Sequence, residues 1–254
     1  MKIATWNVNS LRVRLPQVLD WLKAEQPDVL AMQETKLTDD LFPVETFREL
    51  GYEAAFSGQP TYNGVAIIAR QPMSDIVTAI PGFEDRQRRV LAASIGDTRV
   101  IDLYVVNGES VGSEKYAYKL DWLNAVHAWM ETEMKQYPKI IVLGDFNIAP
   151  DDRDVHDPES WKEKILCSTA ERQSLTRLFE LGLNDVFRQF EQPEKTFSWW
   201  DYRMNGFRRN LGLRIDLILA SGLLAAACKA SGIDRTPRGW ERPSDHAPAW
   251  AQFD

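Results

Sequence analysis

The chain has 254 residues, of which 44% are apolar and 26% charged, and its formal net charge is −7. This composition is typical of an ordered globular domain and excludes a disordered or fibrous chain. The negative net charge excludes a protein that coats nucleic acid through a general positive field, so any contact with nucleic acid must be local.

The sequence also limits where the protein works. It has no run of about 18 apolar residues that could span a bilayer, and no export signal is visible at its start. Cys167 and Cys228 lie far apart and form no disulfide framework. We therefore expect a cytoplasmic protein with no membrane contact. No linker, repeat or low-complexity tract divides the chain, so we expect one domain over residues 1–254, present as a monomer.

Short apolar runs rich in β-branched residues predict eight β-strands along the chain. These are Ile3 to Val8, Asp28 to Gln33, Val65 to Ala69, Arg89 to Ile95, Val100 to Val106, Ile140 to Leu143, Ile215 to Ala220 and Ala249 to Phe253. Apolar residues spaced three or four apart predict amphipathic helices at 15–22 and 120–134. Several strands follow one another through turns, which favours an α/β fold of two packed sheets with helices outside. The irregular stretch 149–168 is a candidate functional loop.

Polar side chains occur repeatedly at the ends of these strands, where propensity disfavours them. The positions are Asn7, Asn9, Glu34, Asp145, Asn147 and Asp216, with Asp245 and His246 just before the last strand. Singly, each has a structural explanation, such as a turn cap at Asn7 or an ion pair of Asp216 with Arg214. Together they predict one pocket of carboxylates, amides and an imidazole. Oxygen ligands without a thiolate suit Mg²⁺ or Mn²⁺ rather than zinc.

Five motifs then give the sequence a family resemblance. They are Trp6-Asn7-Val8-Asn9, Gln33-Glu34-Thr35-Lys36, Gly144-Asp145-Phe146-Asn147, Gly212-Leu213-Arg214-Ile215-Asp216 and Ser244-Asp245-His246-Ala247-Pro248. In this order, and over essentially the whole chain, the sequence resembles the exonuclease III family of abasic-site endonucleases. The resemblance implies a four-layer α/β sandwich with two mixed β-sheets flanked by helices. It also implies a Mg²⁺-dependent nuclease, with Mn²⁺ as a substitute, that cuts double-stranded DNA 5′ to abasic sites and processes 3′ ends.

The same resemblance implies a role for each residue of the pocket. Glu34 would bind the metal, with help from Asn7 and, through water, from Asp245. The implied catalytic set is Tyr104 on the phosphate, Asp145 on the attacking water, Asn147 on both, and His246 paired with Asp216. An apolar pocket of Trp199, Trp200, Leu213 and Ile215 would accept an extruded abasic sugar, and the alternative is that these aromatic residues are ordinary core. Lys115, Arg89 and Arg203 would contact the DNA backbone.

The sequence departs from the commonest form of the family at two positions. Asn107 stands where bacterial relatives often have glutamine, and Val106 replaces the usual proline. The stretch 156–169 varies among relatives, so the balance between abasic-site cleavage and 3′-end processing stays open. Two other functions also stay open: a phosphatase or phosphodiesterase of the same superfamily acting on a small phosphorylated substrate, and a noncatalytic nucleic-acid-binding relative.

Overall fold

The computed structural model describes residues 1–254 and contains fourteen β-strands and six α-helices. The strands are β1 (Lys2–Asn7), β2 (Val29–Gln33), β3 (Glu53–Ser57), β4 (Val65–Ala69), β5 (Met73–Val77), β6 (Val90–Ile95), β7 (Thr98–Tyr104), β8 (Ile140–Asp145), β9 (Leu183–Asp185), β10 (Trp199–Trp200), β11 (Gly212–Leu213), β12 (Asp216–Ser221), β13 (Cys228–Ile233) and β14 (Ala249–Phe253). The helices are α1 (Leu11–Glu25), α2 (Val44–Arg48), α3 (Glu114–Gln136), α4 (Pro158–Trp161), α5 (Thr169–Glu180) and α6 (Gly222–Ala227).

Twelve of the strands form two six-stranded sheets. The first sheet has the order β13-β14-β1-β2-β4-β3 and the second has the order β5-β6-β7-β8-β12-β9, while β10 and β11 pair separately. Within the sheets, β1 and β2 are parallel, as are β7 and β8, and the other neighbours are antiparallel. Both sheets are therefore mixed, as the resemblance implied.

Three apolar clusters hold the layers together. One lies between the sheets and includes Ile3, Ile67 and Leu143. A second packs the outer face of the second sheet on α3 and α5, with Trp122 fully buried in it. A third packs the outer face of the first sheet on α1, where Trp21 is buried. Successive side chains of each strand point to opposite faces of the sheet, so one strand contributes to the cluster between the sheets and to an outer cluster. The predicted four-layer sandwich is confirmed.

The predicted helices and loop have clear local causes. Residues 15–22 lie in α1 and residues 120–134 in α3. Helix α3 begins after Ser113, whose side chain accepts a hydrogen bond from the Tyr116 amide, and α5 begins with a capping box of Ser168 and Glu171. The irregular stretch 149–168 contains only a 3₁₀ turn and the four-residue α4. None of the helices is both long enough and apolar enough to cross a membrane.

Gly144 is the backbone position on which the end of β8 depends. Its φ is +140°, and a Cβ placed there would lie 2.0 Å from the carbonyl oxygen of Leu103 in the neighbouring strand. We expect Gly144→Ala to lower the free energy of unfolding by about 1–3 kcal/mol or more, because the clash is with backbone. Urea denaturation measures this. The matched control is Gly222→Ala, where an added Cβ would meet no neighbouring atom within 4 Å. Equal losses of unfolding free energy in both variants would contradict the explanation.

Candidate active site

Strand ends from both sheets meet at one edge of the sandwich. In the first sheet Asn7 is paired in register with Gln33, which precedes Glu34. In the second sheet Asp145 is opposite Tyr104 on one side and opposite Asp216 on the other. The carboxyl ends of parallel strands lie together, so the pairing of the strands brings these polar side chains to the same place.

The amide of Asn7 joins the two sheets. Its Nδ2 donates hydrogen bonds to Glu34 Oε1 and to Asp145 Oδ2, both at 2.9 Å. The hydroxyl of Tyr104 also donates to Glu34 Oε1, at 2.9 Å. Asn7 is fully buried, so a single amide fixes the distance between two carboxylates from opposite sheets.

Glu34 is held in its ionised form. Burial by itself raises its pKa, but the charge of Lys36 and the hydrogen bond from Asn7 outweigh burial, and the pKa lies below its ordinary value. Lys36 Nζ lies 2.9 Å from Glu34 Oε2 and donates to Asn9 Oδ1 at 2.6 Å. Lys36 was not predicted as a site residue, although its place two residues after Glu34 in the motif was the available signal.

Asn147 is fixed by hydrogen bonds on every side. Its backbone has φ of +48°, and its N–H donates to Asp145 Oδ1 at 2.9 Å. Its side-chain Nδ2 donates to the carbonyl of Val105 at 3.0 Å, and its Oδ1 accepts from Asn107 Nδ2 at 3.0 Å. The amide therefore lies beside Asp145, and Asn107, a departure from the commonest family sequence, holds it there.

His246 and Asp216 form a buried pair. His246 Nδ1 lies 2.9 Å from Asp216 Oδ2, and its Nε2 lies 3.8 Å from Asp145 Oδ2. Burial lowers the pKa of His246, but Asp216 and then Asp145 outweigh it and raise the pKa to about 10. The imidazole is therefore charged at neutral pH. Ser198 Oγ accepts from the amides of Ile215 and Asp216 at 3.0 Å each, which holds the start of β12. Ser198 was not predicted as a site residue, although it precedes the predicted Trp199.

Asp145 lies between opposing influences. Burial and the nearby charge of Asp216 raise its pKa, while His246 and the hydrogen bonds from Asn7 and Asn147 lower it, and the resulting pKa is about 7. A carboxyl group with a pKa near 7 can both accept and release a proton under physiological conditions. The geometry and the pKa together make Asp145 the candidate proton acceptor.

Two groups of side chains here could attract a cation. Asp145, Asp216 and His246 place ligand atoms within 4.8 Å of one another. In that group the charged imidazole already binds Asp216 through Nδ1 and cannot serve as a ligand. The other group is Glu34 with Asn7, which offers an ionised carboxylate and an amide oxygen. An oxygen-only set of this kind fits a hard divalent cation such as Mg²⁺.

Asp245 lies between this polar site and an apolar one. Its Oδ1 accepts from Asn9 Nδ2 at 2.9 Å and its Oδ2 accepts from Trp199 Nε1 at 3.0 Å. Two residues, Asn9 and Lys36, thus link Asp245 to Glu34. The contribution of Asp245 to a metal site through water stays a prediction.

Three of the four predicted pocket residues lie together. Trp199, Leu213 and Ile215 belong to one apolar cluster, with Leu166 among its other members. The prediction for Trp200 was wrong in placement. Neighbouring residues of a strand face opposite sides, so Trp200 is fully buried in a separate cluster. The alternative, that an aromatic residue of this segment is core, holds for Trp200.

The three predicted DNA-contacting cations have different surroundings. Arg89 is only 9% exposed; its guanidinium lies 4.5 Å from the centre of the Tyr104 ring and donates to the Tyr104 carbonyl at 3.2 Å. Arg89 therefore supports Tyr104 and also lines an open cleft, and its contact with the DNA backbone stays a prediction. Lys115 and Arg203 are exposed and form ion pairs with Glu109 and Asp201.

Two open clefts adjoin the polar site. One, of about 700 Å³, is lined by Arg89, Asn107 and Lys115 among others. The second, of about 510 Å³, is lined by Trp199 and Arg203 among others. Lys115 and Arg203 thus lie in separate clefts, each of which contains a residue that contacts the site.

Comparisons with known proteins identify the family of the chain. Residues 4–246 match the Endonuclease/Exonuclease/phosphatase family. The chain is 38% identical to exodeoxyribonuclease III of Haemophilus influenzae, over 100% of both chains. The chain belongs to the endonuclease/exonuclease/phosphatase family. Among its members is a 3′-5′ exonuclease from Neisseria meningitidis, which is 49% identical to this chain with a TM-score of 0.98 over 100% of both chains. Another is an AP endonuclease from Archaeoglobus fulgidus, which is 38% identical with a TM-score of 0.96, covering 100% of this chain and 99% of the other.

The pair of Asp216 and His246 in this family member can be tested by titration. In Asp216→Asn we expect the pKa of His246 to fall well below its value of about 10. Burial disfavours the charged imidazole, and the variant has lost the carboxylate that opposes burial most strongly, while Asp145 remains. NMR titration of the imidazole ring in metal-free protein measures this. Asp121→Asn, at an exposed position of α3, is the control. An unchanged His246 pKa in Asp216→Asn would show that Asp216 does not hold the charge.

The raised pKa also sets a pH dependence of stability. The folded-state pKa of His246 lies above its ordinary value of 6.5, so the charged pair stabilises the fold fully below about pH 6.5. This stabilisation is lost as pH rises toward 10. The difference in unfolding free energy between the native protein and Asp216→Asn should therefore narrow as pH rises through that window.

Proposed function

We propose that the protein is a Mg²⁺-dependent DNA repair nuclease that hydrolyses phosphodiester bonds 5′ to abasic sites and processes 3′ ends. One observation carries the proposal: the amide of Asn7 holds Glu34 and Asp145 from opposite sheets, with the charged His246 3.8 Å from Asp145. The relatives support the substrate class, since they include an AP endonuclease and a Neisseria 3′ phosphatase, NExo, bound to a product DNA hairpin.

Glu34 and Asn7 are the residues that would hold Mg²⁺, with Asp245 acting through water and Mn²⁺ as a substitute. When bound, the cation would neutralise charge on a phosphoryl oxygen. The pKa of Glu34 supports this assignment, because a buried carboxylate that stays ionised is ready to bind a cation without first losing a proton.

The protein side chains divide the remaining chemistry. Asp145 takes a proton from the attacking water, whose oxygen forms a bond to phosphorus. The bond to the leaving oxygen breaks, and that oxygen departs with the electron pair and takes a proton from solvent. Asn147 orients the water and the phosphate. Tyr104, whose hydroxyl donates to Glu34 in the free protein, turns that O–H to the phosphate when substrate binds. The imidazolium of His246, held by Asp216, stabilises negative charge on the phosphoryl oxygens.

Substrate selection follows from the apolar cluster and the clefts. Trp199, Leu213 and Ile215 would accept an extruded sugar and reject an intact base by size. Lys115 and Arg203 would contact phosphates in the two adjoining clefts. These are local positive charges on a chain of net charge −7, so binding depends on the site rather than on the whole surface. We further propose that residues 1–254 act as one domain and as a monomer.

A small phosphorylated molecule is the competing substrate, since the same residues would hydrolyse it. The Neisseria relatives argue against it, because a 49% identical protein is named for activity at DNA 3′ ends. A gel assay on DNA beside a phosphate-release assay on small phosphate esters separates the two. One preparation should be compared on an abasic duplex, a 3′-phosphate end and a recessed 3′ end, which also ranks the activities.

Removing one charged group from the site should stop cleavage without unfolding the protein. We expect Glu34→Ala and Asp145→Asn each to reduce the cleavage rate by about 10² to 10³, as is typical of losing one electrostatic contributor. Gel assays measure the rate and circular dichroism checks the fold. Asp121→Asn is the matched control. A fully active Glu34→Ala or Asp145→Asn would show that the roles are wrongly assigned.

Metal dependence has its own test. We expect EDTA to abolish cleavage of all three DNA substrates, and we expect excess Mg²⁺ or Mn²⁺ to restore it. Restoration should fail in Glu34→Ala, since the principal ligand is missing. Undiminished cleavage in the presence of chelator would refute the metal assignment.

A further inference from the structure

A buried ion pair outside the catalytic group touches two walls of the site. Lys119 of α3 and Glu171 of α5 are both fully buried, and the ammonium contacts the carboxylate. The hydrolysis proposed above uses neither charge. Taking both charges out of water is costly, and replacing such a pair by neutral groups is often neutral for stability. The role of the ion pair is therefore better inferred from the other groups that Lys119 and Glu171 hydrogen-bond than from its contribution to stability.

Lys119 holds the wall that faces the phosphate. Its three N–H groups have three acceptors: Glu171, the carbonyl of Asn147 at 2.7 Å and the carbonyl of Asn107 at 3.1 Å. Both carbonyls belong to loops beyond the strand ends, where no neighbouring strand can bond them. Asn107 in turn donates its side-chain amide to Asn147. One ammonium thus fixes the backbone of both asparagines beside Asp145.

Glu171 holds the opposite, apolar wall. Its carboxylate accepts hydrogen bonds from the amides of Leu166 and Ser168, at 3.0 and 3.1 Å, and from the Ser168 hydroxyl at 2.6 Å. Leu166 has φ of +71°, which is unfavourable for a leucine. The same residue packs in the cluster that contains Leu213 and Ile215. The carboxylate therefore keeps a strained residue in the pocket wall.

We propose that Lys119 and Glu171 are positioning residues that couple Asn147 and its partner Asn107 to the apolar pocket wall. The proposal rests on the function proposed above, because it assigns the pair a part in that catalysis. Neither residue touches the substrate. The charge-assisted bonds set where Asn147 and Leu166 stand, and small displacements of such groups reduce turnover strongly.

The test replaces the pair by neutral groups of similar size, Lys119→Met with Glu171→Gln. The glutamine oxygen can still accept one of the two loop amides, which bond different oxygens of the carboxylate, while the carbonyls of Asn107 and Asn147 lose their donor. We expect kcat on the 3′-phosphate and abasic substrates to fall at least tenfold, within the roughly 10²-fold that misplacement costs. KM should change little, because the lost contact acts in the transition state.

The matched control is the other buried cation that bonds both a carboxylate and a carbonyl. Arg99 lies 2.8 Å from Glu133 and donates to the Asp75 carbonyl at 2.6 Å, at the opposite end of β7 from Tyr104. Arg99→Met with Glu133→Gln should lose stability, as judged by Tm, but keep kcat. The proposal would be overturned if the two double variants lost kcat equally at equal Tm. It would also be overturned if the double variant of Lys119 and Glu171 kept full kcat.

Two further measurements keep the proposal testable if a variant is unstable or the wild type is inactive. Should the double variant not fold, Glu171→Gln alone is compared with Glu133→Gln, and an unreduced kcat in the former would contradict the coupling. Independently of any substrate, the side-chain amide protons of Asn107 and Asn147 should exchange with solvent at least tenfold faster in the folded Lys119 or Glu171 variant than in its control. Unchanged exchange would refute the coupling, whereas an inactive wild type would refute only the proposed function.

Discussion

The cost of burying carboxylates governs this site. Glu34, Asp145 and Asp216 lie close together between two apolar sheets, where an uncompensated charge is very unfavourable. Each is compensated by a different partner: Lys36 for Glu34, His246 for Asp216, and the Asn7 and Asn147 amides for Asp145. Asp102 shows the alternative outcome. It is fully buried with only Gln33 as a side-chain partner, and burial raises its pKa well above the ordinary value, which disfavours its charged form. The placement of cations therefore decides which carboxyl groups can act as charges.

Because the partners come from different elements, the site exists only when the sandwich is assembled. Asn7 belongs to the first sheet and Asp145 to the second, so their hydrogen bond forms only when the two sheets are packed in this arrangement. Asp145 and Asp216 are register partners within the second sheet, and His246 reaches them from the segment before β14. A slip of one residue between β8 and β12 would turn one carboxylate to the other face. Fold and chemistry thus share the same constraint.

All eight strands that the apolar runs predicted correspond to strands of the two sheets, and their polar ends correctly indicated which residues converge. Strands β3, β5, β9 and β13 of the two sheets were missed, as were the two-residue strands β10 and β11. The middle of β5 is exposed and β13 is only half-buried, so neither carries the apolar pattern that sequence analysis detects. The error at Trp200 and the unpredicted stacking of Arg89 on Tyr104 have another origin. The face on which an aromatic residue lies, and whether an arginine stacks on a ring, depend on neighbours distant in sequence. Composition likewise gave no sign that Lys119 would be buried.

Buried cations serve a common purpose in this fold. Strands satisfy their own carbonyls through the sheet, but the loops that carry the reactive groups cannot. Lys119 binds the carbonyls of Asn107 and Asn147, while Arg214 bridges Asp154 and Asp185 just before β12. Each of these cations links an irregular segment to a carboxylate from another element. Charge-assisted hydrogen bonds therefore hold the irregular backbone beside the site where the sheet cannot.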